Sequence, residues 1–380
     1  MEGIVLALFL CLILALITKY LSVPAIPFYI LAGVLLGKAG LGLVSSDEIS
    51  HFFSQMGLIF LLFFMGLGLK TERIAANRSA VLTSGIIDLN VNMMIGFVAA
   101  YLLGFSVTES LIVASAFYIS STAMALTSLI ENRKLMLREA ETVVWLMVFE
   151  DLILIIFLAL ISAGNQNLII FLVKILGVLA VLYAFAHYGK EFLISILDRD
   201  DELPILFTFA AVLTTASFSM YLGIPETMMV IALGVAFATT DPDAFEQHAR
   251  PFKDVFLVVF FVFFGVTIDF SAGVNWYMIT VICLLAIVSK LISGILTGLF
   301  IHGSALSGLE IWGNTIARGE FSIAIAVLYG SPLVGTTIAA MVIVTSIIGS
   351  FTAKYSTALR RGILSLGRKK SPPHRVHMSR

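Results

Sequence analysis

The sequence predicts an all-α membrane protein of about 13 transmembrane helices, arranged as two inverted six-helix repeats with broken crossing helices. Three observations carry that expectation. The chain of 380 residues is 59% hydrophobic and 12% charged, whereas soluble domains are about 45–50% apolar and about 25% charged. Apolar runs long enough to cross a bilayer as helices, about 20 residues each, follow one another with short polar breaks. The second half also repeats landmarks of the first at an offset near 200.

The runs cover roughly 2–20, 24–41, 52–69, 79–104, 108–131, 138–163, 166–187, 203–221, 226–239, 251–268, 272–301, 308–331 and 335–356. Met1–Leu21 lacks a small-residue cleavage site and a second run follows at once, so it is expected to stay as the first span rather than leave as a signal peptide. Gly189–Arg199 is expected to be a polar connector, and Arg360–Arg380, with Ser371-Pro372-Pro373, a flexible basic tail. Cys11 and Cys283 lie in apolar runs and make no disulfide or metal pattern. The net charge of −1 says little, because the charges are unevenly spread.

Their distribution sets the orientation. With the N-terminus outside, Lys70, Arg73, Arg78, Arg133, Lys134, Arg138, Lys190, Arg199, Arg250 and Lys253 fall at inner loops and helix ends. The cluster from Lys354 to Arg380 joins them, and the outer side holds Lys38. The expected topology is N-out, C-in, in the cell membrane. The basic tail serves as a topology signal and lipid contact.

The repeat rests on three matches in order. Pro24 to Val34 aligns with Pro225 to Val235, pairing Gly33 with Gly234; Phe64-Met65-Gly66 aligns with Phe263-Phe264-Gly265; and Asn92 to Gly96 aligns with Lys290 to Gly294. Six helices per unit and one linker helix turn the second unit upside down, an arrangement common among secondary transporters. Such folds place their site where helices break near the midplane. Ser120-Ser121-Thr122-Ala123 and Arg318-Gly319-Glu320 interrupt the fifth and twelfth spans at matching places, and hydroxyls and glycine both accommodate unwound backbone. The Gly33–Gly37 and Gly294–Gly298 spacings suit close packing.

Charges inside the spans point to the chemistry. Glu150 and Asp151 interrupt an apolar run from Val143 to Ala163. A charge at a helix centre costs about 2.5–3.5 kcal/mol on insertion scales, so such residues mark ion or proton paths by default. Lys290 lies about ten residues from its helix end, roughly 15 Å, too far to snorkel easily. It is expected to pair with Asp151. Arg318 and Glu320, two apart at a break, are expected to neutralise each other and the half-helix dipoles. Asp88 and Asn92, one turn apart, are expected to line the site or its access funnel. Lys174 on the linker helix is expected to be structural or lipid-facing.

These residues together resemble the monovalent cation:proton antiporter family 2, the Kef-type and bacterial sodium/proton exchangers. The matching segments are Ser120 to Ala125, Phe149-Glu150-Asp151, Pro251 to Asp269, Lys290 with Gly294, and Arg318 to Ser322, and the similarity spans about residues 1–356. It implies a dimerisation domain (1–70 and 203–270), a core ion-transport domain (79–163 and 272–356), a linker helix and connector (164–202) and a basic tail (357–380). It implies that Asp151 carries ion and proton, that Thr122 lies at the unwound crossing, and that Lys290 pairs with Asp151. Potassium-efflux members carry Gln before the aspartate and electroneutral sodium members often carry Asn, where this chain has Glu150. Kef-type systems usually continue into a nucleotide-binding regulatory domain, which is not expected here.

The sequence therefore predicts a secondary transporter exchanging a monovalent cation for protons by alternating access, with sodium the expected cation and potassium the rival. Asp151, Glu150, Thr122 and Ser121 are the expected cation ligands, and two protons per cation the expected stoichiometry if Lys290 loses its pairing in the cycle. No cofactor and no nucleic-acid partner are expected; the expected partners are cations, protons, lipid and a second copy of the chain. A channel is disfavoured because no charged ring or carbonyl filter motif appears, a sodium-coupled organic-solute symporter by the buried Glu-Asp pair with Lys290, and an enzyme because no metal-ligand or nucleophile motif appears.

Overall fold

The computed structural model describes residues 2–21, 25–45, 47–68, 78–163, 167–268 and 275–369. Pro24, Lys70, Arg73, Asp269 and the tail from 370 onward lie outside the described residues, as does the side chain of Arg78. Sixteen helices follow in order: α1 (Glu2–Leu21), α2 (Ile26–Leu36), α3 (Glu48–Leu67), α4 (Arg78–Leu102), α5 (Val107–Tyr118), α6 (Thr122–Glu131), α7 (Arg138–Ala163), α8 (Leu168–Tyr188), α9 (Lys190–Leu197), α10 (Leu203–Leu222), α11 (Glu226–Phe237), α12 (Pro242–Thr267), α13 (Trp276–His302), α14 (Ala305–Thr315), α15 (Glu320–Tyr329) and α16 (Pro332–Lys369). With α9 set aside and the interrupted pairs α5–α6 and α14–α15 each taken as one span, the helices of the described residues group into thirteen segments, close to the expected count. The protein is an all-α membrane protein of the expected kind.

Three boundaries differ from the expectation, each for a local reason. The tenth span starts at Pro242, well before Pro251, because the Asp241 side chain accepts the Ala244 N–H at 3.0 Å and Pro242 fills the first turn. The 189–199 connector contains the short helix α9, whose Leu193, Ile196 and Leu197 recur at helical spacing and are buried. The tail does not loosen at Arg360: α16 runs on to Lys369, with no proline before Pro372 to stop it. Arg360 there pairs with Glu139 of α7 at 2.8 Å.

The repeat appears in the packing. A Cβ on Gly33 of α2 would sit on the Val262 carbonyl oxygen and 2.8 Å from the Gly265 Cα of α12. A Cβ on Gly66 of α3 would sit on the Ile231 carbonyl and 2.9 Å from the Gly234 Cα of α11. Gly33 is matched with Gly234, and Gly66 with Gly265, by the sequence alignment. The two contacts are therefore one contact made twice, each joining a helix of the first repeat to one of the second. Phe60, Phe63 and Phe237 are buried around one of them, in a core that extends to Phe245.

The other helices gather round the interrupted spans. α4 packs on α13, α5 and α7, and α14 packs on α13 and α16. Gly96 of α4 lies against Ala114 of α5, and the matching Gly294 of α13 lies against Trp312 of α14. Both interruptions thus lean on a long helix through a glycine, which lets the backbones approach closely.

Candidate functional site

The site begins with two helices that stop in the middle of their spans. Helix α5 ends at Tyr118 because Ile119, Ser120 and Ser121 are non-helical, and α6 starts again at Thr122 with Ser121 as its cap. Helix α14 ends at Thr315, and α15 restarts at Glu320 after Gly319. The two open stretches cross: the Ser121 N–H donates to the Ala317 carbonyl at 2.8 Å. A Cβ on Gly319 would lie 2.6 Å from the Ser121 Oγ, so only glycine fits the crossing without displacement.

A crossing of this kind leaves four helix ends unsatisfied in an apolar interior. Arg318, fully buried, serves the two C-terminal ends. Its Nε donates to the Phe117 carbonyl of α5 at 2.8 Å, its Nη1 to the Ile316 carbonyl beyond α14 at 2.5 Å, and its Nη2 to the Ala286 carbonyl of α13 at 3.3 Å. A cation at two helix C-termini also meets their partial negative charge. The expected Arg318–Glu320 pair is not among the ion pairs of the described residues. Arg318 is spent on carbonyls, and Glu320 accepts from the Ser121 Oγ at 3.3 Å in the first turn of α15. The Ser121 hydroxyl also accepts the Met124 N–H at 3.4 Å, so in this structure it serves the crossing.

Glu150 serves the start of α6. It accepts the Ser120 N–H at 2.5 Å through Oε2, and its Oε1 lies 3.0 Å from the Ser120 hydroxyl. Lys290 donates to the same Oε1 at 2.7 Å and to Asp88 Oδ2, also at 2.7 Å. Asp88 is closed off on its other oxygen, which accepts from Asn92 Nδ2 at 2.8 Å and Ser293 Oγ at 2.7 Å. Ser289 Oγ donates to Asn92 Oδ1 at 2.7 Å. Asp88, Asn92, Glu150, Ser289, Lys290 and Ser293 are all within 1% of full burial.

Two expectations are corrected here. Lys290 pairs with Asp88 and Glu150 rather than with Asp151, because it projects from α13 toward α4 and the first carboxylate of the pair. Asp88 and Asn92 do not line a funnel; they are buried members of the lysine's network. The expectation of Glu150 as a cation ligand meets a carboxylate engaged on both oxygens by Ser120 and Lys290.

Asp151 differs. The residue is partly exposed, while its Oδ1 is buried and has no hydrogen-bond partner. The charged groups facing it are Glu150 and Glu320. Thr122, in the first position of α6, is also partly exposed. Two cavities open on the helices that hold these residues, lined by other positions of them. One of about 640 Å³ runs from Lys19, Asn132 and Lys354 to Ala123 and Ala317, the neighbours of Thr122 and Arg318. One of about 370 Å³ is lined by Glu141, Val144, Trp145 and Val148 of α7 together with Gly68. Val144, Val148 and Asp151 recur at helical spacing on one face.

Sequence reasoning placed Ser120 at the break without its bonds to Glu150, and missed Ser289 and Ser293. The polar stripe Ser289, Lys290, Ser293 on α13 was the available signal, since it matches the Asp88–Asn92 stripe in chemistry. It also missed a second buried lysine. Lys134, taken as an inner-loop charge, is buried and pairs with Glu310 of α14 at 2.9 Å, donating also to the Ala353 carbonyl and Ser356 of α16. Lys174, taken as structural or lipid-facing, lies with its Nζ 3.3 Å from the Leu222 carbonyl.

Comparison with known proteins gives a consistent picture. The family model described as sodium/hydrogen exchanger, transmembrane, matches residues 5–356. The K(+)/H(+) antiporter subunit KhtU of Bacillus subtilis is 30% identical over 378 residues, covering 93% of each chain. The Na(+)/H(+) antiporter of Enterococcus hirae is 24% identical, covering 89% of this chain and 94% of its own. Among solved structures, the sodium proton antiporter MjNhaP1 of Methanocaldococcus jannaschii superposes with a TM-score of 0.69 at 19% identity, covering 96% of this chain and 97% of that one. That last similarity speaks for the fold.

Proposed function

The chain belongs to the transmembrane sodium/hydrogen exchanger family, and on that premise we propose that it exchanges its monovalent cation for protons at Asp151. It is a transporter and not an enzyme. The observation that carries the assignment is the contrast in hydrogen bonding: Asp151 is the carboxylate at the crossing with a partnerless oxygen, Oδ1. A carboxylate so placed holds either a proton or a partly dehydrated cation, and one site cannot hold both. Competition at Asp151 then gives exchange. The Thr122 hydroxyl and the open backbone of the crossing supply further hard oxygen ligands of the kind such ions prefer.

The helices containing Gly33, Gly66, Gly234 and Gly265 form the frame, 1–70 and 203–270, through which two copies associate. The core, 79–163 and 272–356, moves against it to expose Asp151 to either side. Both cavities described above lie at the end that the basic residues assign to the cytoplasm. Cross-linking in mild detergent should find two chains, and a fully active monomer would overturn the frame assignment.

Sodium is the cation expected from sequence, and potassium is a second reading, favoured by the 30% identity to a K(+)/H(+) antiporter subunit. Purified protein in liposomes, with internal pH followed while external sodium, potassium or lithium is raised, tests both. Proton efflux driven by one of the three supports the assignment and names the ion. No cation-dependent proton movement with any of them overturns it.

A further inference from the structure

The environment of Lys290 bears on how much charge the exchanger moves. Its ammonium lies 2.7 Å from one oxygen of Asp88 and 2.7 Å from one oxygen of Glu150, and all three groups are buried. It also stands over the Tyr118 ring, 5.5 Å from the centroid. The rest of both carboxylates is satisfied too: Asp88 by Asn92 and Ser293, Glu150 by Ser120. Arg318, also buried, is held by carbonyls beside the same crossing. Two carboxylates and two cations make a neutral foursome that needs nothing from Asp151.

We propose that Asp88 fixes Lys290 as a permanent ammonium throughout the transport cycle, so that the protein exchanges one proton per cation and moves no net charge. This rests on Asp151 as the exchange site. A lysine acts as a second proton carrier if cation binding strips its only counter-ion. Here the cation's carboxylate is not the lysine's counter-ion, and two other carboxylates remain when Asp151 is occupied. The loaded forms, Asp151 with a proton and Asp151 with a cation, then carry equal charge, so their crossings are equivalent to a membrane potential. Asp88 is a positioning residue: it acts on the site through Lys290 and touches neither ion.

Full-length protein in liposomes on a solid-supported membrane tests this, with internal pH and displaced charge read in parallel during a jump of the transported cation. The expected wild-type result is proton flux without sustained charge displacement. Proton flux accompanied by charge displacement overturns the proposal while leaving exchange at Asp151 standing. Absence of proton flux would instead overturn the exchange assignment. In Asp88→Asn the foursome gains one positive charge, which disfavours a cation nearby. The half-saturating cation concentration should rise on the order of tenfold, the maximal rate should change less, and Asp88→Glu should recover part of the loss. An unchanged half-saturation in Asp88→Asn overturns the role of Asp88. Should that variant not fold, Ser293→Ala, which removes one donor to Asp88, should shift half-saturation the same way by less, and no shift counts against the proposal. The wild-type charge measurement decides the stoichiometry in either case.

Discussion

Glu150 accepts from a backbone N–H and a lysine and is 1% exposed, while Asp151, the next residue, is partly exposed and has a buried oxygen, Oδ1, without a hydrogen-bond partner. Both sit on α7, separated by about 100° of helix. That rotation turns one carboxylate into the crossing and leaves the other partly exposed. The difference shows how a helix can carry two adjacent charges at membrane depth with two separate tasks. The first holds together the broken helices and the lysine; the second carries an oxygen that no protein group satisfies.

The strongest way to break this comparison is to neutralise each carboxylate in turn. Asp151→Asn should abolish cation-dependent proton flux, because an amide holds neither proton nor cation in exchange. It should leave thermal stability unchanged or slightly higher, since it removes an unpaired charge. Retained flux in purified Asp151→Asn would sink the mechanism. Lys290→Ala acts on the other side. It leaves Asp88 and Glu150 buried without their cation, and removing one partner of a buried ion pair costs about 3–5 kcal/mol. A large fall in melting temperature in detergent is expected, with Lys290→Ala/Glu150→Gln recovering part of it. A melting temperature equal to wild type would show that the network is not structural.

Much of this was visible in the sequence for physical reasons. Charges stand out against apolar runs, so Glu150, Asp151, Lys290, Arg318 and Glu320 could be picked out, and the breaks at Ser120 and Gly319 followed from residue type. The pairing could not be read, because helical phase decides which carboxylate meets Lys290, and a phase error of one residue moves a side chain about 100°. Proximity in type therefore suggested Asp151, whereas geometry chose Asp88 and Glu150. Arg318 misled for a related reason. Two opposite charges two residues apart suggest a pair, but the need of four interrupted helix ends for hydrogen bonds took precedence.

The repeat contacts sharpen the view that the frame is rigid and the site is tuned separately. Gly33→Ala places a methyl group against the Val262 carbonyl of α12 and should destabilise by about 1–3 kcal/mol, as overpacking does. Gly335→Ala is the control. It lies in α16 with nothing within 4 Å of a new Cβ, and should stabilise by up to about 1 kcal/mol through helix propensity. Melting temperatures that move in the same direction in both variants would contradict the close approach of α2 and α12.

A third carboxylate separates hydrogen bonding from burial as the cause of the contrast. Asp47, like Glu150, accepts a backbone N–H, but it stands in water at the start of α3. Its side chain accepts the Ser50 N–H at 2.8 Å, and its own N–H donates to the Ser50 hydroxyl at 2.8 Å. The Ser50 backbone N–H first, and then the Ser50 side chain, hold its carboxyl below its ordinary value of 3.8. A lowered folded value means that the ionised form supports the cap above about 3.8, and that this support is lost as pH falls through the folded value. Hydrogen exchange over the first turn of α3 should therefore show wild-type protection at neutral pH that weakens only in that acid range. Asp47→Asn, which still caps without a charge, should remove the pH dependence while keeping the protection, and Asp47→Ala should lose both. The effect should stay within that turn, leaving transport and the global melting temperature nearly unchanged, because water can replace an exposed cap in a way that nothing can replace Glu150. If Asp47→Ala disturbed transport as much as loss of the buried carboxylates, hydrogen-bond number rather than burial would govern what a carboxylate does in this fold.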